Sequence, residues 1–270
     1  MLLSLNQYLA AAADRQKMSV PTWVVVGASR GIGLEFVRQL LEAGQKVVAA
    51  VRNASAAPRL FELIDSRNAK DKCTVEQCDI ASEESIVDFV RKIQDALDNG
   101  MKFGNVILNA GVLKYPNRAT EISFPDFALH LHTNTIGPII CAQKLINLCP
   151  ESPPPKVIFV SSDSGSTTQF LDFEDGFGAY AASKAALNQM LRHMAAELAR
   201  SKEQKKRETV VLALHPGQVK TEMGDIEVGW EVKGSINAEK SVSGMLKVIR
   251  EKGQAGTGTF WRLDGTTHPW

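Results

Sequence analysis

A chain of 270 residues with 44% hydrophobic and 23% charged side chains has an ordinary globular composition, which excludes a disordered, collagen-like or coiled-coil protein. Its 31 Lys and Arg balance 30 Asp and Glu to a net charge of +1, so no basic field draws in nucleic acid or an acidic membrane, and no apolar run approaches the roughly 18 residues that span a bilayer. Four cysteines, Cys73, Cys78, Cys141 and Cys149, are too few for a disulfide framework and lack zinc-site spacing; they are expected to be reduced packing residues in a cytoplasmic protein with no metal.

In chain order, residues 1–20 form an N-terminal extension in which Leu2, Leu5 and Leu9 fall near helical spacing. It lacks the basic segment of a targeting peptide. Strands are expected at 23–26, 47–51, 73–77, 106–109, 157–160, 210–214 and 257–261, each nearly continuous in apolar residues, as in a parallel sheet covered on both faces. Helical stripes lie between them, one through Ile86, Phe89, Val90, Ile93 and Leu97 behind an N-cap at Ser82, another through Leu187, Leu191, Met194 and Leu198. Long helices are expected over about 123–148 and 179–200, and residues 150–155 and 201–208 are expected as loops within the sheet. The alternation predicts a single α/β domain over residues 21–270, a doubly wound parallel sheet of about seven strands with helices on both faces.

The first strand runs into Gly27-Ala28-Ser29-Arg30-Gly31-Ile32-Gly33 and then an amphipathic helix. Glycines at a strand-to-helix turn let a pyrophosphate approach the backbone, and the helix N-terminus offers it free N–H groups. This makes the domain a dinucleotide-binding Rossmann fold. The spacing differs from the common G-x-G-x-x-G, and a tight turn alone would account for the glycines. At the end of the second strand no Asp or Glu occurs between Glu42 and Glu62; Arg52-Asn53 stands there instead, and Arg30 sits in the glycine turn. Either arginine alone reads as a surface charge. Together, with the acid missing, they suit the 2′-phosphate of NADPH better than the free ribose of NADH.

Laid in order, these segments resemble the short-chain dehydrogenase/reductase family from about residue 20 to the C-terminus. The matching pieces are the glycine turn, Cys78-Asp79-Ile80, Asn109-Ala110-Gly111, Thr133-Asn134-Thr135, Ser161-Ser162, Tyr180-Ala181-Ala182-Ser183-Lys184 and Pro216-Gly217-Gln218-Val219-Lys220-Thr221. The stretch from His215-Pro216-Gly217 to Met223-Gly224, with Leu263-Asp264-Gly265 and the terminal Pro269-Trp270, is similar to the monomer-type or C-factor-like carbonyl reductases. Val26 and Leu108 depart from the family's Thr and Asn. Ser162 stands further before Tyr180 than is usual, which enlarges a loop containing Phe170, Phe173 and Phe177 and leaves Ser161, Ser164 and Thr167 as alternatives.

The resemblance implies an oxidoreductase with Tyr180, Lys184, Ser162 and Asn134 as catalytic residues, Asn134 holding the lysine through a water. It implies that Asp79, with Ile80, contacts the adenine, that Asn109, Ala110 and Gly111 line the adenosine ribose, and that Pro216, Gly217, Val219 and Thr221 border the carboxamide. The residues support the chemistry independently. Tyr180 and Lys184 lie one turn apart on a helix face, where an ammonium is expected to lower the phenol's pKa into a usable range for a general acid. A Ser162 hydroxyl at a strand end could hold the substrate oxygen.

Bland alternatives exist for each: a surface Tyr and Lys, a turn cap at Ser162, a backbone partner at Asn134, an N-cap at Asp79. His215 reads as structural, and Met190 and Met194 as core. The loop at about 221–238 reads as a lid over an apolar or aromatic pocket with Tyr115 nearby, or as a plain loop with Trp230 turned inward. The expected reaction is NADPH-dependent reduction of a small ketone, aldehyde or quinone. An alcohol or hydroxysteroid dehydrogenase, a secondary-metabolite ketoreductase and a non-catalytic NADPH sensor are the alternatives, and the chain could be a monomer or a homo-oligomer.

Overall fold

The computed structural model describes residues 20–224, 226–232 and 234–270, so the helical spacing read at residues 1–13 lies outside the described residues. Seven parallel strands form one sheet: β1 (Thr22–Val26), β2 (Lys46–Val51), β3 (Cys73–Gln77), β4 (Phe103–Leu108), β5 (Lys156–Val160), β6 (Val210–His215) and β7 (Thr259–Arg262). Their order is β3-β2-β1-β4-β5-β6-β7, so the winding reverses between β1 and β4. Ligands of open α/β sheets bind outside the carboxyl ends of strands at such a switch point.

The apolar runs are explained by burial on both faces. On one side, α3 (Glu83–Asp98), α5 (Gly137–Leu148) and α6 (Gly178–Ala199) pack Ile86, Phe89, Leu145, Leu187 and Leu191 against Val24, Val106 and Phe159. On the other, α1 (Gly31–Glu42), α2 (Pro58–Ser66) and α8 (Ala238–Glu251) pack Phe36, Leu40, Leu60 and Met245 against Val25, Ile107 and Leu212. Ser82 caps α3 as expected, its side chain accepting from the Ser85 backbone N–H at 3.2 Å. All four cysteines are free thiols, three of them buried.

Three expectations gain detail. The helix expected over 123–148 runs without a gap but changes its winding, as α4 (Phe124–Leu131), a π-turn at His132–Ile136, and α5, which opens with Pro138 in its first turn. The loop at 201–208 contains a short helix, α7 (Gln204–Arg207). Strand β4 begins at Phe103 because Gly104 lies flat against Thr22, leaving no room for a side chain. No helix among the described residues is long and apolar enough to cross a membrane.

Candidate active site

At the carboxyl end of β1 the backbone N–H groups of Gly27 and Ala28 both donate to the Ala50 carbonyl, at 2.9 and 3.1 Å. Gly27 has φ +89, and a Cβ there would lie 2.6 Å from the Ala110 backbone. A Cβ on Gly33 would fall on the Gly27 carbonyl, so only glycine lets α1 start this close to the strand. Arg30, at the N-cap of α1, supplies no side-chain cap, so the first N–H groups face the cleft. Asn109 ties β4 to this turn, its Nδ2 donating to the Gly27 carbonyl at 2.9 Å. Asp79 carries an Asx turn, its Oδ1 accepting from the Ala81 N–H at 3.0 Å, while Ser82 provides the cap.

The cationic end of the cleft is built differently from the sequence reading. Arg52 and Asn53 are exposed at the end of β2, and the Asn53 side chain is occupied by the Ser55 N–H and hydroxyl. Arg30 instead converges with Arg59 on one carboxylate. Its Nη1 donates to Glu222 Oε2 at 2.5 Å, and Arg59 Nη1 donates to Glu222 Oε1 at 2.8 Å. These two guanidinium groups hold the Glu222 carboxyl below its ordinary range. Neither Arg59 nor Glu222 was legible as a site residue, because an exposed arginine on a helix and a lone acid past a strand carry no local signal.

The four expected catalytic residues meet around the amino-terminal half of α6. Tyr180 is half-buried, its phenol hydrogen-bonded to Ser162, and Lys184 Nζ lies 5.9 Å from the centre of its ring. Lys184 Nζ donates to the Val160 carbonyl at 3.0 Å. The expected lowering of the phenol's pKa is corrected: burial, with the negative charges of Asp163 and Glu174, pushes Tyr180 up to about 12, against the opposing hydrogen bond of Ser162. Burial also brings the Lys184 amine down to about 8. The ammonium is itself desolvated, so its field is insufficient to offset the removal of the phenolate from water.

Ser162 is both cap and phenol partner. Its Oγ accepts from the Ser164 N–H at 3.3 Å and donates to Asp163 Oδ1 at 3.0 Å. Among the alternatives, Ser161 is turned into the core, donating to Asn188 Oδ1 at 2.6 Å, and Thr167 faces the Trp270 carbonyl. Asn134 lies in the π-turn, fully buried. Its Oδ1 accepts from the Val112 N–H at 2.7 Å, and its Nδ2 donates to the Val112 carbonyl and the Ser183 hydroxyl at 2.9 and 3.0 Å. Its side chain thus fixes the loop segment following Gly111, beneath which Lys184 Nζ sits. π-turns of this kind concentrate at functional sites.

The segment after β6 returns on itself. Lys220 N–H donates to the Ile236 carbonyl and Ile236 N–H to the Gln218 carbonyl, both at 2.9 Å, pairing Val219 with Ile236. Pro216 is held by the Ser241 hydroxyl, which donates to its carbonyl at 2.7 Å, and Thr221 rests against Gly31. Between these feet the loop lays Trp230 on Phe173 and Phe177, with ring centroids 6.1 and 5.6 Å apart. Phe177 in turn meets Tyr115 at 5.5 Å and Tyr180 at 6.0 Å. Of the residues expected to line an apolar or aromatic pocket, Tyr115, Phe173 and Phe177 thus join one ring cluster with Trp230 and Tyr180, whereas Phe170 is 80% exposed and outside it.

His215, read as structural, is a partner of Asp163, whose backbone N–H donates to His215 Nδ1 at 3.2 Å. Both stand beside recognised motif residues, which is the signal that was available. Among the described residues no group of three or more His, Cys, Asp or Glu side chains is placed to hold a metal ion.

The profile of the short chain dehydrogenase family matches residues 21–231. An uncharacterized oxidoreductase of Schizosaccharomyces pombe is 32% identical over 259 residues, covering 92% of this chain and 97% of that one. Among solved structures, the NADPH-bound carbonyl reductase from chicken fatty liver is similar with a TM-score of 0.81 at 27% identity, covering 93% of this chain and 99% of that one. A short-chain dehydrogenase/reductase from Burkholderia multivorans with bound NADP is similar with a TM-score of 0.74 at 28% identity, covering 93% and 100%.

Proposed function

The chain belongs to the short-chain dehydrogenase family of NAD(P)-dependent oxidoreductases, and on that premise we propose that it is an NADPH-dependent reductase of a small apolar or aromatic ketone, aldehyde or quinone. The observation that carries the reading is the phenol of Tyr180, hydrogen-bonded to Ser162 under a roof of Phe177 and Trp230. Burial pushes this phenol up to about 12, so it holds a proton at neutral pH that it can give to a carbonyl oxygen.

A dinucleotide fits the cradle, since side chains at Gly27 and Gly33 would fill it and the uncapped start of α1 offers N–H groups to a pyrophosphate. Asp79, Ile80, Asn109, Ala110 and Gly111 would line the adenosine half, and Pro216, Gly217, Val219 and Thr221 the carboxamide. Ser29, Arg30, Gly31 and Ile32 would meet the phosphates, with Arg30, Arg52 and Asn53 favouring NADPH through the 2′-phosphate. The NADPH and NADP in the two similar structures support this preference. When bound, the nicotinamide supplies a hydride to the carbonyl carbon.

The chain's own groups do the rest. Tyr180 donates its proton to the carbonyl oxygen, and Ser162 steadies that oxygen as negative charge grows on it. Lys184 stabilises the phenolate that remains, and Asn134 holds the Gly111–Val112 backbone over the lysine. The loop at about 221–238, with Trp230 inward, closes the pocket and keeps out water. The test is Tyr180→Phe. NADPH affinity by fluorescence titration should be unchanged while turnover falls by about 10²–10⁴-fold; turnover within a few-fold of wild type refutes the assignment.

A further inference from the structure

The two guanidinium groups that meet on Glu222 come from the two elements that frame the adenosine end of a dinucleotide. Arg30 stands in the glycine turn, which is tied to β2 by the bonds from the Gly27 and Ala28 N–H groups to the Ala50 carbonyl. Arg59 is the second residue of α2, which follows the turn at the end of β2. In doubly wound folds that strand end receives the ribose that carries either the 2′-hydroxyl or the 2′-phosphate. The acid comes from neither element. Glu222 belongs to the segment past β6, next to Thr221, which rests on Gly31, and it gives one oxygen to each arginine, Oε2 to Arg30 at 2.5 Å and Oε1 to Arg59 at 2.8 Å.

Paired guanidinium groups converging on one point are suited to a phosphate. A carboxylate offers them one negative charge and two oxygens, whereas a phosphate monoester brings a charge of about −1.5 to −2 and three acceptor oxygens. All three side chains are half-exposed or more, so each ion pair is modest and a stronger anion can take the place of the carboxylate.

We propose that Glu222 is a tethered stand-in for the 2′-phosphate of the cofactor, which displaces it from Arg30 and Arg59 and so unlatches the leading edge of the loop at about 221–238. The proposal rests on a dinucleotide lying in the cradle at α1. It makes Arg59 a further residue that selects for the phosphate and Glu222 an internal competitor against it. A cofactor with a free 2′-hydroxyl has no anion to exchange for the carboxylate and binds with the latch closed. The Gly224 N–H donates to the Thr221 carbonyl at 2.9 Å, so Glu222 sits in a tight turn that its two ion pairs pin to the glycine turn and to α2. Trp230, further along, is held separately on Phe173 and Phe177.

The experiment is calorimetric titration of the full chain with 2′,5′-ADP and with 5′-ADP, which differ by the one phosphate and both lack the nicotinamide. Glu222→Gln is expected to tighten 2′,5′-ADP binding about three- to tenfold, the scale of two exposed ion pairs, and to leave the Kd of 5′-ADP within about twofold. Glu222→Asp keeps the charge but is a methylene too short to span both arginines, and should share most of the gain. Arg59→Gln should weaken 2′,5′-ADP about tenfold and spare 5′-ADP. Hydrogen exchange over residues 221–224 should be faster with 2′,5′-ADP than with 5′-ADP in wild type, and alike with both in Glu222→Gln. Unchanged or weaker 2′,5′-ADP binding in Glu222→Gln overturns the competition, as does a gain shared by 5′-ADP or absent from Glu222→Asp, which would make Glu222 a distant charge only. Equal exchange with the two nucleotides in wild type overturns the unlatching. If neither nucleotide binds, the cofactor reading falls and the latch with it; 5′-ADP binding beside variants that leave 2′,5′-ADP unmoved removes the latch alone.

Discussion

Replacing Lys184 by Met should make the protein more stable at neutral pH while abolishing turnover. The Lys184 side chain is 5% exposed, and burial brings its amine from 10.5 to about 8. That shift corresponds to about 3 kcal/mol by which the folded state disfavours the charged form. Loss of the hydrogen bond to the Val160 carbonyl returns about 1 kcal/mol, leaving a net gain of about 2 kcal/mol for Lys184→Met at pH 7. The pH dependence has a defined sign. Between pH 8 and 10.5 the unfolded chain still holds a proton that the folded one has released, so wild-type stability from this group rises with pH. Above pH 10, Tyr180 works the other way, because the folded phenol keeps its proton up to about 12 and stability falls. Urea unfolding of both proteins at pH 7, 8.5 and 10 reads the difference, which should shrink toward pH 10. A gap that stays constant across this window, or a Lys184→Met protein less stable at pH 7, refutes the argument.

Further outcomes follow from the same geometry. Arg52→Asp should move the NADPH-to-NADH ratio of kcat/KM toward NADH by at least tenfold, on the order of one charge-assisted contact to phosphate; an unchanged ratio removes Arg52 from the cofactor site. Gly33→Ala places a methyl on the Gly27 carbonyl and should raise the NADPH Kd by more than tenfold or unfold the turn by about 1–3 kcal/mol, as read by titration and thermal melts. Trp230→Ala opens the roof over Phe177 and should raise KM for aromatic carbonyls several-fold, about 1 kcal/mol, with little change for a short aliphatic aldehyde.

The sheet was readable because its strands are buried on both faces, so each is a short unbroken apolar run such as Val47 to Val51 or Val157 to Val160. What burial does not dictate was less visible. Gly104 and Asn105 concealed the start of β4, and nothing in the His-Thr-Asn-Thr-Ile run from His132 to Ile136 announces a π-turn. Residues of the candidate site could be singled out where a motif names them, as with Tyr180, Lys184 and Ser162, which the fold brings together. Glu222 with Arg30 and Arg59, and Asp163 with His215, are pairings between segments far apart in the chain, and only folding selects one acid and one base from the many at the surface. The phenol's pKa failed for a related reason: spacing reveals that an amine is near, and only the enclosed volume reveals that both groups have lost their water.

The hairpin-like excursion past β6 is anchored by two kinds of force. Its leading edge is ionic, Glu222 between two half-exposed or more exposed arginines, while its middle is aromatic, Trp230 against two phenylalanines. Dissolved salt weakens the former and leaves the latter intact. Ionic strength therefore loosens the Glu222 edge of this excursion without unseating Trp230 from Phe173 and Phe177, so the two ends of one segment answer to different solution conditions.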